Sequence, residues 1–325
     1  MKTVISILLS FVFTATFAQR TPVSTHGQLN VSKGRIVDKN NLPPQLRGIS
    51  MSWSIWGGHK YYNPQVIDWL TTDFEVSVIR LSMAVEHEHG YLADSAGQYN
   101  LITSSIDAAI KNGLYVIVDW HDHHAIQHQT KAINFFSQIS KRYTGKQNII
   151  YEVFNEPERV NWKDVKEYSI QVIKAIRKFD QKNLIVAGSP SWDQDVDVAA
   201  KDPITGFSNI AYSFHFYASD PNHQEKLMSK ADEAIRLGLP LFVTEWGVGE
   251  SNGDGVFNKK TNTKWLNWME QNKLSWTNWN LTDKKETTAL VLPGASANGG
   301  WSENNLSPAG QYIRKVLKNS GKTVK

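Results

Sequence analysis

Eight short runs rich in apolar and β-prone residues recur along the chain, and their recurrence limits the fold more than any other feature. They occupy residues 46–52, 76–83, 114–121, 149–156, 184–190, 210–217, 241–247 and 274–281. Their starts fall roughly 26 to 38 residues apart, enough chain for one helix in each interval. Helical periodicity fills most of the intervals. It is clearest over 165–179, where Val165, Tyr168, Val172, Ile173 and Ile176 repeat on one face, and it is present over 102–112, 131–143, 224–237 and 263–271. Two of these helices run out at Asn112-Gly113 and Leu237-Gly238, directly before a strand, which is how glycine closes a helix. Eight strands alternating with helices predict an α/β fold, a (β/α)8 TIM barrel whose parallel sheet closes on itself. An open doubly wound sheet is the competing architecture. It would carry a glycine-rich phosphate loop after its first strand, and none follows residues 46–52.

Ahead of the barrel, turn signals at Lys33-Gly34 and over 40–44 predict a short hairpin and a loop within residues 28–46. No Pro/Ser/Thr-rich tract divides the rest, so residues 19–325 read as one domain. Residues 1–18 are different. Lys2 is the only charge before Arg20, an apolar run follows it, and Thr16 and Ala18 are small. This predicts an export signal cleaved near Ala18, with a periplasmic or extracellular destination. A membrane anchor fits less well, because the apolar run is short for a span. Cleavage leaves roughly 307 residues, an ordinary length for one α/β barrel.

A core of that size needs no covalent staple, and the chain has no cysteine to supply one. Thiolate metal sites are excluded on the same ground. The formal charge of +4 is small and the lysines are scattered, so a nucleic-acid partner has no support. No membrane partner is expected once the signal is removed, and a monomer is expected. Twelve tryptophans are more than packing alone calls for. The surplus suits stacking on the apolar faces of sugar rings.

A barrel presents its reactive groups at the C-terminal ends of its strands. Polar and aromatic residues gather there in this chain: Arg80 in the second run, Asp119 and His121 in the third, and Asn155 and Glu156 in the fourth. His215 and Tyr217 end the sixth, Glu245 the seventh, and Trp279 the eighth. Side chains alternate across a strand, so Glu152 shares a face with Glu156, Asp119 with His121, and His215 with Tyr217. The inner member of each pair lies one layer deeper. Glu152 then becomes a buried carboxylate that requires a cation, and Arg80 is its natural partner. Glu152 and Asp119 are accordingly read as supports for the site.

Two glutamates on different strands at one rim suit glycosidic cleavage. An acid protonates the leaving oxygen while a carboxylate meets the oxocarbenium-like carbon. The acid needs burial or a nearby anion to keep its proton, and the nucleophile needs donors and cations. Arg80 and Tyr217 could serve Glu245, and His215 could orient or tune either carboxylate. A competing reading starts from His121-Asp122-His123-His124, where a His-x-His could ligate zinc for hydrolysis. No further pattern completes a metal set, so no metal is assigned.

The motifs carry a resemblance. Residues 118–121 (Val-Asp-Trp-His), 151–157 (Tyr-Glu-Val-Phe-Asn-Glu-Pro), 215–217 (His-Phe-Tyr), 244–247 (Thr-Glu-Trp-Gly) and 276–281 (Trp-Thr-Asn-Trp-Asn-Leu) occur in that order. With them the chain resembles glycoside hydrolase family 5, in its bacterial subfamily of single-domain endoglucanases, the cellulases. The similarity runs from Leu46 to Gly310. It implies that Glu156 is the acid/base and Glu245 the nucleophile. It further implies that Arg80, His121, Asn155, His215 and Tyr217 line the reacting subsite, with Asn155 on the sugar 2-hydroxyl and Trp279 as platform. Lys284, Glu286 and Trp56 match positions that contact neighbouring sugars. A cis peptide is implied at Trp279-Asn280. Ser52 and Ala84 depart from relatives that place a His and a Tyr there. The implied reaction is secreted endo-hydrolysis of β-1,4-glucan with retention, through a covalent glycosyl-enzyme and without a cofactor. A β-mannan, xylan or mixed-linkage glucan is the alternative substrate, and a non-catalytic glycan-binding barrel is the alternative from another class.

Overall fold

Each apolar run becomes a strand because its neighbours in space are strands as well. The structure, a computed structural model, is described over residues 20–319, and the expected export segment lies outside them. A short helix α1 (Pro22–His26) leads into the hairpin β1 (Asn30–Ser32) and β2 (Arg35–Val37). These pair antiparallel around Lys33 and Gly34, both at positive φ (49° and 72°), which matches the twist of a tight hairpin. The barrel strands follow: β3 (Arg47–Met51), β4 (Val78–Ala84), β5 (Tyr115–His121), β6 (Ile149–Glu152), β7 (Ile185–Ala187), β8 (Ile210–Tyr217), β9 (Leu241–Gly247) and β10 (Trp276–Leu281). They are joined in chain order, and β10 pairs parallel with β3 to close the barrel.

The helices between them are α2 (Pro64–Thr72), α3 (Ser95–Lys111), α4 (Gln129–Arg142), α5 (Trp162–Arg177), α6 (Pro190–Asp193), α7 (Val196–Lys201), α8 (Glu225–Arg236) and α9 (Lys259–Gln271), with α10 (Pro308–Asn319) after the last strand. The α5 face anticipated from its periodicity is the buried one. Its start is held by Asn161, whose side chain accepts from the Asp164 amide at 3.1 Å. Gly113 and Gly238 close their helices at φ 65° and 84°. The periodicity did not single out α2, although Asn63 and Pro64 mark its beginning by cap and first-turn chemistry. α10 was likewise unread. It docks through Arg314, which grips the Asp73 carboxylate at 2.6 and 2.7 Å just past α2. Among the described residues no helix is long and apolar enough to cross a membrane.

Alternation sorts the strand residues into two cores. On β5, Val116, Val118 and Trp120 face the helices, and on β8 Tyr212, Phe214 and Phe216 do the same. The opposite faces fill the barrel floor with Val78, Tyr115, Ile117, Ile150, Leu184, Val186, Ala211 and Phe242, closed from below by Leu29 and Ile36. The hairpin is therefore a plug under the barrel. Two strands fall further short of their apolar runs than the others do. β6 stops at Glu152 rather than Glu156, and β7 covers three residues only. Beyond Glu152, Val153 and Phe154 both join the outer core, so strict alternation has ended.

Candidate active site

The site is organised around Arg80, which is wholly enclosed in the barrel. One step past the apolar floor, its guanidinium meets three carboxylates. Nε and Nη2 donate to Glu152 at 2.7 and 3.2 Å, Nη2 pairs with Asp119 at 3.0 Å, and Nη1 donates to Glu245 at 2.8 Å. Nη2 also donates to Asn155 Oδ1 at 2.7 Å. The expected Arg80–Glu152 pair is thus present and bidentate. Burial alone would raise the Glu152 carboxyl, but Arg80 and His215 hold it well below the usual range. Burial and the charge of Glu152 push Asp119 up, against the pull of Arg80. Arg80 does not line the cleft, as the resemblance implied for it. It lies beneath, where it braces Glu245 and Asn155.

Glu245 reaches the mouth through a strand irregularity. Ser213 pairs with Phe242 and His215 with Glu245, so β9 spends three steps where β8 spends two. The bulge lets both Thr244 and Glu245 face the interior, which alternation forbids in a regular strand. Tyr217 donates to Glu245 Oε1 at 2.8 Å, and Arg80 takes Oε2. Both oxygens of the carboxylate are held by donors, one of them cationic, as an anionic nucleophile needs. Gly247 makes room for this contact, since a Cβ there would lie 2.3 Å from the Tyr217 ring. Burial and Glu245 keep the Tyr217 phenol protonated far into the alkaline range, so it remains a donor.

Glu156 stands beyond the end of β6 at φ 50°, a conformation unusual for glutamate. It reaches the mouth because the chain turns there, not because it shares a strand face with Glu152. Its Oε1 lies 3.1 Å from His215 Nδ1. The other ring nitrogen, Nε2, lies 2.8 Å from Thr244 Oγ1, and Thr244 donates its own proton to Glu152 at 2.6 Å. Thr244 must therefore accept from His215 Nε2–H. If Nδ1–H is donated to Glu156 as well, the ring is an imidazolium. Burial opposes that charge, but Asp193, Glu152 and Glu156 together raise the His215 pKa well above its ordinary value. Burial would likewise raise Glu156, yet the bond from His215 and its charge carry the carboxyl below the usual range. The acid was expected to be raised by burial or a nearby anion; burial does push Glu156 up, and His215 outweighs it. Both directions favour the proton of this pair on His215, one hydrogen bond away from Glu156.

Above these groups opens a cleft of about 580 Å³. Glu156, Tyr217, Glu245, His121 and Trp279 line its floor, and Trp56, Lys284 and Glu286 line its flanks. The His121 ring stacks on Trp279 at 5.4 Å, with planes 6° apart, and donates from or accepts at Nδ1 against Asp119 at 2.7 Å. Burial and Arg80 hold His121 neutral. The Trp279-Asn280 peptide is cis, as the resemblance implied. Asn155 is buried with its Nδ2 unpartnered. Trp56 is 58% exposed, and Lys284 pairs with Glu286 at 2.6 Å.

Sequence reasoning missed Trp53. Its ring stands edge-on to His121 at 4.2 Å and 5.6 Å from Trp56, which makes it a cleft wall beside Ser52. Its nearness to Trp56 in a chain rich in tryptophan was the available signal. Ser213, Thr244 and Asp193 were also missed. The histidine run does not converge on one point. His121 turns to Asp119, His123 to the Glu156 carbonyl, and His124 to Glu86. Glu86, Asp122 and His128 are close enough to hold a cation in principle, but Asp122 is already engaged by Trp120 Nε1 and His128.

Comparison with known proteins places this arrangement among others. Residues 37–285 match the family model described as cellulase (glycosyl hydrolase family 5). The chain is 40% identical to endoglucanase Z of Dickeya dadantii over 83% of its own length and 62% of that protein. It is 35% identical to an endoglucanase of Clostridium saccharobutylicum over 98% of its own length and 72% of the relative. It thus spans under two thirds of the Dickeya protein. Among solved structures, one from Cytophaga hutchinsonii has a TM-score of 0.89 at 38% identity, covering 92% of this chain and 97% of that one. A structure of the catalytic domain of Thermobifida fusca endoglucanase Cel5A in complex with cellotetraose has a TM-score of 0.85 at 33% identity, covering 92% and 99%.

Proposed function

The chain belongs to the cellulases of glycosyl hydrolase family 5, and from that premise we propose that it is a retaining endo-β-1,4-glucanase that works by double displacement. One observation carries the mechanism. An oxygen of Glu156, an oxygen of Glu245 and a nitrogen of His215 lie within 4.8 Å of one another. Retaining glycosidases hold their carboxyl groups about 5–5.5 Å apart, whereas inverting ones separate them by about 6.5–9.5 Å to admit a water. The spacing here favours direct attack by a carboxylate.

In the first step Glu245 attacks the anomeric carbon and forms the glycosyl ester. The leaving oxygen takes a proton from Glu156, which draws on His215. In the second step Glu156 removes a proton from water, the water oxygen attacks the same carbon, and the ester bond to Glu245 breaks. Two inversions leave the configuration retained. Arg80 and Tyr217 hold Glu245 in line for both steps. Trp279, Trp53 and Trp56 supply flat apolar surfaces along the cleft, which support a β-linked, all-equatorial glucan chain as substrate. A purely glycan-binding barrel would have no use for two carboxylates so close together. Export to the periplasm or the medium is also proposed, on the apolar run and small residues before Arg20.

The test is chemical rescue. Glu245→Ala and Glu156→Ala are given azide and an aryl β-cellobioside with an activated leaving group. Glu245→Ala is expected to yield the α-cellobiosyl azide and Glu156→Ala the β-anomer. The reverse assignment, or α-configured product from wild type on cello-oligosaccharides, contradicts the mechanism. Activity confined to mannan or xylan in a substrate panel contradicts the glucanase reading alone.

A further inference from the structure

The double-displacement mechanism leaves one buried titratable group unused. Asp193 ends the irregular turn α6, where Ser191, Trp192 and Asp193 have φ values of 58°, 58° and 60°. It is fully buried. Its carboxylate is directed wholly at the surroundings of the acid/base. Oδ2 accepts from the Glu156 amide at 2.8 Å, Oδ1 accepts from the Ser189 amide at 2.5 Å, and Oδ2 lies 3.7 Å from His215 Nδ1. Among the described residues, His215 is its one ion-pair partner. A neutral acceptor could cap an amide here, so a buried carboxylate without a cation of its own calls for another account.

We propose that Asp193 is a positioning residue for the acid/base: it clamps the main chain that carries Glu156, and it keeps the Glu156–His215 pair from losing its shared proton in alkaline solution. This rests on the assignment of Glu156 as acid. The charges around His215 define the effect. Glu152 faces Nε2 at 3.7 Å, while Glu156 and Asp193 face Nδ1 at 3.1 and 3.7 Å. Glu245 adds a further carboxylate from β9, and β5 adds Asp119, whose own ionisation is opposed by burial and Glu152. His121 and His123 face Glu156 from the far side, with His223 more distant, and Arg80 is the one permanent cation of the group.

Five carboxylates thus share Arg80 and one imidazole. Burial pushes the Asp193 carboxyl itself up, but His215 and the amides of Ser189 and Glu156, which occupy both its oxygens as donors, act for the charged form. Loss of the proton from the Glu156–His215 pair then leaves a neutral ring among Glu152, Glu156 and Asp193. Asp193 therefore opposes that loss, and the surplus negative charge retains the proton to higher pH. Burial pulls His215 the other way, and Asp193 is the foremost of the charges that overcome it. The clamp on the Glu156 amide explains how the residue keeps its positive φ while the carboxylate stays on His215.

The experiment compares the pH dependence of kcat/KM for wild type and Asp193→Asn on two substrates. Cellotetraose needs a proton from Glu156 to release its leaving sugar. Dinitrophenyl β-cellobioside does not, because its leaving group departs as an anion. In Asp193→Asn the alkaline limb for cellotetraose is expected to move down by about one pH unit or more, the size of effect of a charge within about 4–6 Å. The profile for the dinitrophenyl substrate is expected to stay near that of wild type. Superimposable alkaline limbs overturn the proposal. So does an equal loss on both substrates at every pH, which marks a merely structural role. Should the variant not fold, 15N NMR of the wild-type ring decides: His215 doubly protonated well above pH 7 is expected, and a neutral ring at pH 7 overturns the proposal. A wild type inert on both substrates would instead remove the glucanase reading itself.

Discussion

The floor and the mouth of the barrel are built from the same strands, two residues apart. Val78 precedes Arg80, Ile117 precedes Asp119, Ile150 precedes Glu152, Ala211 precedes Ser213 and Phe242 precedes Thr244. The first member of each pair packs into an apolar plug. The second enters a polar layer in which Glu152 accepts from Arg80, Ser213 and Thr244. In the floor, each residue contributes independently by the area it removes from water. In the layer above, no charge is tolerable alone, and each depends on its partners. Regular alternation likewise holds in the floor and fails at the mouth. The bulge in β9 and the turn after Glu152 deliver Glu245 and Glu156 to the mouth.

The contrast is sharpest at Arg80. Arg80→Met fills the space but leaves Glu152, Asp119 and Glu245 without their cation. It is expected to destabilise the fold by about 3–5 kcal/mol and to abolish turnover together with it. Urea unfolding followed by tryptophan fluorescence, paired with kcat, reads both. A stable variant that kept its activity would show that the polar layer is not a cooperative unit. On the neighbouring strand β5, Ile117 pairs in register with Arg80, and Ile117→Ala should separate the two quantities. It is expected to cost about 2–5 kcal/mol through the cavity it opens, while kcat at temperatures below unfolding stays at the wild-type level. A fall in kcat matching that of Arg80→Met would erase the distinction between floor and mouth. The smallest effect is expected outside both regions. Trp56→Ala removes an exposed ring, so stability should move by less than about 0.5 kcal/mol, while KM for cellotetraose rises several-fold with kcat little changed. An unaltered KM would detach that ring from the substrate path.

The legible and illegible parts of the molecule divide along similar lines. All eight barrel strands were marked by apolar runs, because a strand buried on both faces must be apolar wherever it has no polar duty. The hairpin was marked by Lys33-Gly34. The Arg80–Glu152 pair followed from parity and from the need of a buried carboxylate for a cation. Parity also placed Glu156 in the mouth, though the chain arrives there by a turn instead of a strand face. The short helices α6 and α7 left no periodic trace, since a single turn offers no repeat to detect. Asp193 was invisible as a site residue for a different reason: nothing in its immediate neighbours along the chain distinguishes it from an ordinary capping position. Trp53 and Thr244 had signals, the nearby Trp56 and the adjoining Glu245, but neither signal gives the contact each makes in the folded site.

Hydrophobic period, turn chemistry and motif were therefore sufficient for the barrel and for the rim on which the proposed pair Glu156 and Glu245 gathers, because each depends on residues near in sequence. The spacing of those two carboxylates, the raised pKa of His215 between Glu152, Glu156 and Asp193, and the lowered pKa of His121 held against Trp53 and Trp279 were decided by closure of the sheet. Closure brings β4, β5, β6, β8 and β9 around one enclosed volume of low polarisability, where charges separated by long stretches of chain meet within hydrogen-bond reach and set one another's protonation.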